Sequence, residues 1–130
     1  MPRLKGEDPI REIRSAVTAY FDYCLSHPDY VALMLWEAVT GWEAMNQCMR
    51  KSEDSWTLNV ISIIEAGKRK GVIRPDLDPM LAVISITAQI FMLFPLSSRF
   101  ADIWPAAAEL HQVREELAAN ILHMLMANPE

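Results

Sequence analysis

An uncharged run of residues, 79–98, constrains the fold more than any other stretch of this chain. It begins directly after Asp78, and Pro79 is its first residue. This pair typically opens a helix, because the carboxylate accepts from free N–H groups and proline gives up a donor that would lack a partner. Just upstream, the basic sequence KRK precedes Gly71, which is the order expected where a helix ends. We therefore predict two helices joined by a short loop, the second buried on nearly every side.

Composition and charge limit the class of protein. The chain of 130 residues is long enough for one domain with a real core, and its hydrophobic fraction of 52% is slightly above average. This excess suggests apolar surface that a partner covers. The formal net charge of −5 disfavours binding to nucleic acid or to an anionic membrane. We assign the folded domain to residues 8–127, with short tails at 1–7 and 128–130.

The spacing of apolar residues predicts an all-α fold. Apolar side chains recur at intervals of three and four, and no strand-like alternation or hairpin turn is visible. We expect about five helices. They cover residues 9–26, 28–49 with a bend or break at Gly41, 52–70, 79–94 with a kink or end at Pro95, and 106–127 after a loop at 97–105.

The uncharged run is also long enough to span a membrane, which is an alternative interpretation. However, serine, threonine, glutamine and proline side chains dilute its hydrophobicity, and no cluster of basic residues flanks it. We therefore favour a central helix that is buried partly by its own domain and partly by another subunit.

Residues that usually carry chemistry are sparse in this sequence. Cys24 and Cys48 have the spacing of neither a redox pair nor a zinc site, and no signal peptide precedes them. We expect reduced, buried thiols in a cytoplasmic protein. The three histidines lack ligand spacing, and no nucleotide-binding, hydrolase or metalloprotease motif is present. We therefore predict that the chain is not an enzyme and holds no metal and no cofactor.

Glu37 stands out because it lies on an apolar helical face, where an unpaired carboxylate would be costly. Two interpretations are open: a hydrogen bond or ion pair to a neighbouring helix, and a polar anchor for a ligand in an apolar pocket lined also by Trp42 and Met45. Aromatic residues and methionines suit such pockets, although they fill cores equally well. The candidate ligand-binding residues, chosen by helical face, are Tyr20, Phe21, Met34, Trp36, Glu37, Ile61, Ile64 and Phe91.

Three segments together resemble the C-terminal regulatory domain of TetR-family transcriptional regulators. They are HPDYVALMLWEAVTG, the helix end EAGKRKGVIRPDLDP and the long apolar helix that follows it, and the resemblance covers residues 8–126. It implies a domain that binds a small apolar or amphipathic effector and forms a homodimer through its last two helices, packed as a four-helix bundle. Taken by helical face, the predicted dimer interface consists of Ile86, Ile90, Leu93, Leu117, Ile121, Met124 and Leu125.

The sequence departs from the family at its beginning. TetR-family members carry an N-terminal helix-turn-helix domain, and nothing before Asp8 could form one. We expect a fragment of a longer repressor, in which the effector controls allosterically how the absent domain binds operator DNA. Two alternatives stay open. One is a stand-alone helical carrier or interaction module for a hydrophobic compound, and the other is a small membrane protein built on the uncharged helix.

Overall fold

The computed structural model describes residues 7–48 and 55–127, and these two ranges form helices joined by turns and loops, with no strand in either. The prediction of an all-α fold is confirmed. Two short 3₁₀-helices, Pro105–Ala108 and Leu110–Val113, precede the last α-helix. The α-helices of the described residues are α1 (Pro9–Ser26), α2 (Pro28–Thr40), α3 (Glu43–Cys48), α4 (Ser55–Arg69), α5 (Pro79–Arg99) and α6 (Arg114–Leu125).

Two helices begin where the sequence predicts them to begin. The carboxylate of Asp8 accepts from the backbone N–H of Arg11 at the start of α1. The carboxylate of Asp78 accepts from the backbone N–H of Met80, at 2.9 Å, at the start of α5. In both cases a proline occupies the first turn. Because proline has no N–H group, fewer N–H groups lack an intrahelical partner, and the aspartate carboxylate accepts from those that remain.

The end of α4 is a Schellman motif. The N–H of Val72 donates to the carbonyl of Gly67, and the N–H of Gly71 donates to the carbonyl of Lys68. Gly71 has a φ of 75°, a left-handed conformation that glycine adopts without steric cost. The helix stop predicted from the KRKG sequence is therefore confirmed.

The second predicted helix is broken at Gly41. This glycine has a φ of 87° and ends α2, and Trp42 follows with a φ of 64°, also left-handed. The chain then turns into the separate helix α3. The prediction allowed either a bend or a break of the helix at Gly41, and the structure has the break.

Two predicted helix boundaries are wrong. α5 runs through Pro95 to Arg99, although Pro95 has no N–H group to donate to the carbonyl of Phe91. The last helix starts at Arg114 instead of residue 106, since Glu109 leaves the helical region and separates the two 3₁₀ turns. It ends at Leu125, within two residues of the predicted end. The predicted start at Ser52 and the stop signal at 128–129 lie outside the described residues.

The core forms where α1 packs against α4, α5 and α6. α6 is tied to the rest of the fold at both ends. At its start, Arg114 donates to both carboxylate oxygens of Asp22 on α1, at 2.8 and 3.0 Å. At its end, the chain pairs with the loop after α4, where the N–H of Arg74 donates to the carbonyl of Leu125 at 3.0 Å.

Among the described residues, α5 is the one helix that is long and apolar enough to cross a membrane. This is weak evidence for a membrane protein, because the core helix of a soluble protein meets the same criteria of length and composition. About a third of its apolar window is buried in the chain. One face of α5 lies in the core, and the opposite face is exposed.

Candidate functional site

A cavity of about 320 Å³ lies between α1, α2, α4 and α5, with α3 and its preceding turn on one side. Its wall consists of five aromatic side chains, two methionines and three hydroxyl side chains. None of the wall residues that the structure describes is charged. They are Tyr20, Tyr30, Trp42, Trp56, Phe91, Met34, Met45, Ser55, Thr57 and Thr87.

The aromatic part of the wall is centred on Tyr20. The centroid of its ring lies 4.8 Å from that of Trp56 and 5.8 Å from that of Phe91, which it meets edge to face. Its hydroxyl oxygen lies 2.7 Å from that of Tyr30, so one phenol donates a hydrogen bond to the other. Tilted and edge-to-face contacts of this kind are favourable beyond the area they bury, and they hold the rings in place. The cavity therefore has a preformed wall.

Glu37 is buried, with 5% of its surface exposed, but it is not a wall residue. Its carboxylate accepts from the backbone N–H of Met45 at 3.1 Å, near the start of α3. A carboxylate in this position satisfies an N–H group that the helix itself leaves without a partner. Of the two interpretations drawn from the sequence, the geometry shows the hydrogen bond to a neighbouring helix.

The other predicted ligand-binding residues fall into two groups. Tyr20, Met34 and Phe91 line the cavity, as do Trp42 and Met45. The second group lies elsewhere: Phe21 is buried against Phe94, Trp36 is 65% exposed, Ile64 is fully buried in the core, and Ile61 packs partly buried against the core.

Sequence analysis missed five members of the wall: Tyr30, Ser55, Trp56, Thr57 and Thr87. Among them, Tyr30 and Thr87 were within reach of the argument from helical faces. Tyr30 lies one turn before Met34 on α2, and Thr87 lies one turn before Phe91 on α5. Extending each candidate by one turn in both directions would have found them. Trp56 offered no such signal, since none of the chosen residues lies one turn away on α4.

Cys24 does not take part in the chemistry of the cavity. It is a free thiol on the buried face of α1, and this burial raises its pKa to about 11. A protonated, inaccessible thiol is a poor nucleophile and a poor metal ligand. Within residues 7–48 and 55–127, no group of three or more histidine, cysteine and acidic side chains is placed to hold a metal ion. The side chain of Cys48 is outside the description.

A second surface lies on the outer face of α5. Apolar side chains at intervals of three and four residues are exposed along its whole length: Leu81, Ile84, Ala88, Met92 and Leu96. Beside this face, an open apolar groove of about 470 Å³ separates α5 from α6 and from the loop that contains Trp104. Apolar patches of this extent are uncommon on monomeric proteins and usually mark an interface.

The predicted interface residues divide between this surface and the core. Leu93 and Leu117 line the groove, and Met124 is partly buried beside Gln89. The remaining four have no exposed surface in the single chain, so a partner could not touch them in this conformation. These four are Ile86, Ile90, Ile121 and Leu125.

A comparison of the sequence with models of known protein families identifies the family of this all-α domain. The chain matches the family described as tetracyclin repressor-like, C-terminal domain, over residues 9–125. It belongs to this family, and the resemblance noted in the sequence is confirmed. The family comprises domains of transcriptional regulators and is in general not enzymatic. Neither a curated protein nor a solved structure matches the chain.

Proposed function

We propose that this chain is the effector-binding and dimerisation domain of a TetR-like transcriptional repressor in the cytoplasm. The observation that carries the proposal is the aromatic cavity between α1, α2, α4 and α5, in a chain of this family. In the whole protein, an N-terminal helix-turn-helix domain reads the operator. The chain described here contacts the effector and a second copy of itself, and it has no contact with DNA.

The cavity suits an effector site because its wall comes from separate helices. Tyr20 belongs to α1, Met34 to α2, Trp56 to α4 and Phe91 to α5. An occupant contacts all four helices and therefore prefers the arrangement in which they fit it best. A ligand with this preference shifts the conformational equilibrium of the domain, which is the requirement for allosteric control of a distant DNA-binding domain.

The outer face of α5 suits a dimer interface because its apolar side chains remain exposed to solvent in the single chain. In a two-fold dimer, this face meets its own symmetry mate, so an uninterrupted apolar stripe is self-complementary. The groove beside it would receive side chains of the partner. The residues of the proposed interface are Leu81, Ile84, Ala88, Met92, Leu93, Leu96, Leu117 and Met124.

Light scattering after size exclusion, in buffer without detergent, tests the assembly directly. We expect a species of twice the chain mass of 14.8 kDa. A stable monomer would contradict the dimeric regulator and favour a stand-alone carrier of a hydrophobic compound. A chain that stays in solution only with detergent would favour a membrane protein built on α5.

A further inference from the structure

Thr87 on α5 differs from two other threonines inside helices. Thr18 on α1 and Thr40 on α2 each donate to the backbone carbonyl four residues earlier, at 2.9 Å in both cases. This bond is a usual one for a threonine inside a helix. Thr87 lies in the middle of α5, and its hydroxyl group has no hydrogen-bond partner among the residues that the structure describes. It is therefore available to another molecule.

The hydroxyl oxygen of Thr87 is accessible at the cavity. Thr87 is a wall residue and is half-buried, and its oxygen atom keeps accessible surface in the single chain. The indole Nε1 of Trp56 is different, because it has almost no accessible surface and a compound in the cavity cannot reach it. A compound that fills the cavity therefore finds its hydrogen-bonding partner on α5 at Thr87.

Apolar surface lies one helical turn beyond this hydroxyl group. Phe91 follows Thr87 by four residues, so it lies on the same face of α5, about 6 Å further along the helix axis. The centroid of its ring lies 5.8 Å from that of Tyr20 and 6.1 Å from that of Tyr30. Tyr20 also touches Trp56, with ring centroids 4.8 Å apart, so an occupant lies beside these two rings and not between them.

The volume and the charge of the cavity limit its occupant further. At about 320 Å³, the space lies at the lower end of the range found for small-molecule sites in proteins. None of the described wall residues bears a charge, and the buried carboxylate of Glu37 is bound to the backbone N–H of Met45. A charged group on the ligand would lose its water without gaining an opposite charge from this part of the wall, which is costly.

Together, these features define a class of effector. Resting on the proposed function, we infer that the effector is a compact, uncharged compound with an apolar body and one hydroxyl or carbonyl group, and that Thr87 binds this group. A threonine hydroxyl both donates and accepts hydrogen bonds, so it pairs with either. The apolar body lies against Phe91, and Thr87 distinguishes such a compound from a plain hydrocarbon.

Four compact, non-planar compounds with the same apolar body test this inference by calorimetric titration of the purified chain. They are trans-4-tert-butylcyclohexanol, which carries a hydroxyl group, tert-butylcyclohexane, which has no polar group, and the charged compounds 4-tert-butylcyclohexanecarboxylate and 4-tert-butylcyclohexylammonium. We expect the alcohol to bind at least about tenfold more tightly than either charged compound, since burial of an unpaired charge costs more than that ratio requires.

The substitution Thr87→Val removes the hydroxyl group and keeps the shape of the side chain. We expect it to weaken the binding of the alcohol by roughly threefold to tenfold, the range for one hydrogen bond, and not to weaken that of the hydrocarbon. Thr87→Ser keeps a hydroxyl group and should retain most of the affinity for the alcohol. Thr18→Val is the matched control, because the hydroxyl group of Thr18 is bonded within α1, outside the wall. Retained binding of the hydrocarbon shows that the Thr87→Val protein is folded.

The outcomes separate the class of ligand from the site itself. If a charged compound binds as tightly as the alcohol, the inference about the ligand is wrong and the effector site stands. The same holds if Thr87→Val leaves the affinity for the alcohol unchanged, or weakens the alcohol and the hydrocarbon equally. If none of the four compounds binds to the chain, while the light-scattering mass is that of a dimer, the cavity is not an effector site and both proposals about it fail.

Discussion

The carboxylate of Glu37 accepts a hydrogen bond from the backbone N–H of Met45 at 3.1 Å, which joins the last turn of α2 to the start of α3. The backbone carbonyl of Glu37 also accepts from the N–H of Trp42 at 2.8 Å. Both partners line the cavity, although Glu37 does not. Glu37 is therefore a positioning residue, which fixes two side chains of the wall through the turn between them.

Replacement of this carboxylate should weaken both the fold and the cavity. Glu37→Ala leaves the N–H of Met45 without a partner, and we expect a loss of about 1 kcal/mol in the free energy of unfolding, as for other helix caps. Met45 also loses its anchor, whereas the backbone carbonyl that accepts from Trp42 is kept. An uncharged aromatic probe of the cavity, such as 2-acetylnaphthalene, should therefore bind less tightly. Urea unfolding and calorimetric titration measure the two effects.

Glu37→Gln is the informative control for this prediction. The amide keeps an acceptor oxygen of nearly the same shape, so it should retain most of the stability and of the affinity that the alanine variant loses. Equal losses in the two variants would mean that the hydrogen bond to Met45 is not what holds the turn.

The fold was predictable from sequence wherever a local chemical signal decides the structure. The caps at Asp8 and Asp78 and the glycines at 41 and 71 act within one turn, and the structure has helix ends at all four. The boundaries that failed depend on tertiary packing. Pro95 is tolerated inside α5, and the region before Arg114 adopts 3₁₀ turns, although its composition would equally suit an α-helix.

The candidate site was only partly predictable, because α5 is apolar on both faces. Periodicity shows that Ile86 and Ile90 share one side, but it does not say whether that side meets the core or a partner. The structure puts both in the core and exposes Ile84 and Met92 instead. The cavity has the same limitation, since the approach of Trp56 to Tyr20 depends on how α4 packs against α1.

The close packing of Gly67 against Ile73 gives a second prediction. A methyl group added at Gly67 would lie 2.7 Å from Cγ1 of Ile73 and still closer to its Cδ1, in a fully buried region. We expect Gly67→Ala to destabilise the chain by about 1–3 kcal/mol, the usual cost of overpacking. Urea or thermal unfolding measures this loss.

A double substitution identifies the cause of that loss. Ile73→Val removes Cδ1, the atom that the new methyl group would meet first. In the Gly67→Ala background, this change should recover part of the lost stability, whereas alone it should cost about 1 kcal/mol. Strictly additive losses in the double variant would show that the contact with Ile73 does not cause the effect.

The buried thiol of Cys24 predicts a loss of stability in alkali. Its pKa is raised from 9.0 to about 11 by desolvation. Below the lower value the thiol is protonated in both states and contributes no pH dependence. Between the two values the unfolded chain gives up the proton first, so the free energy of unfolding falls as the pH rises, by at most about 2–3 kcal/mol.

Comparison with Cys24→Ala isolates this contribution from other groups that titrate in alkali. The free energy of unfolding of both proteins should be measured near pH 8 and near pH 10 at equal ionic strength. We expect the unsubstituted chain to lose more stability over this interval than the variant. Parallel pH dependence in the two proteins would show that the thiol does not contribute.

The outer face of α5 gives the last prediction. Met92 and Ile84 are 41% and 54% exposed in the single chain, so a carboxylate at either position is solvated in the monomer. In a two-fold dimer through this face, the same carboxylate would be desolvated and would approach its symmetry mate, at a cost of several kcal/mol. Met92→Glu and Ile84→Glu should therefore convert the dimer into a monomer of 14.8 kDa, measured by light scattering, with the helical content retained.

Val39→Glu is the matched control, because Val39 is 78% exposed and lies on α2, outside the proposed interface. This variant should remain dimeric. Substitution of glutamate for Ile86 or Ile121 would be less informative, since both side chains are fully buried and their replacement should unfold the chain. If Met92→Glu and Ile84→Glu both remain folded dimers, the chains associate through a surface other than the outer face of α5.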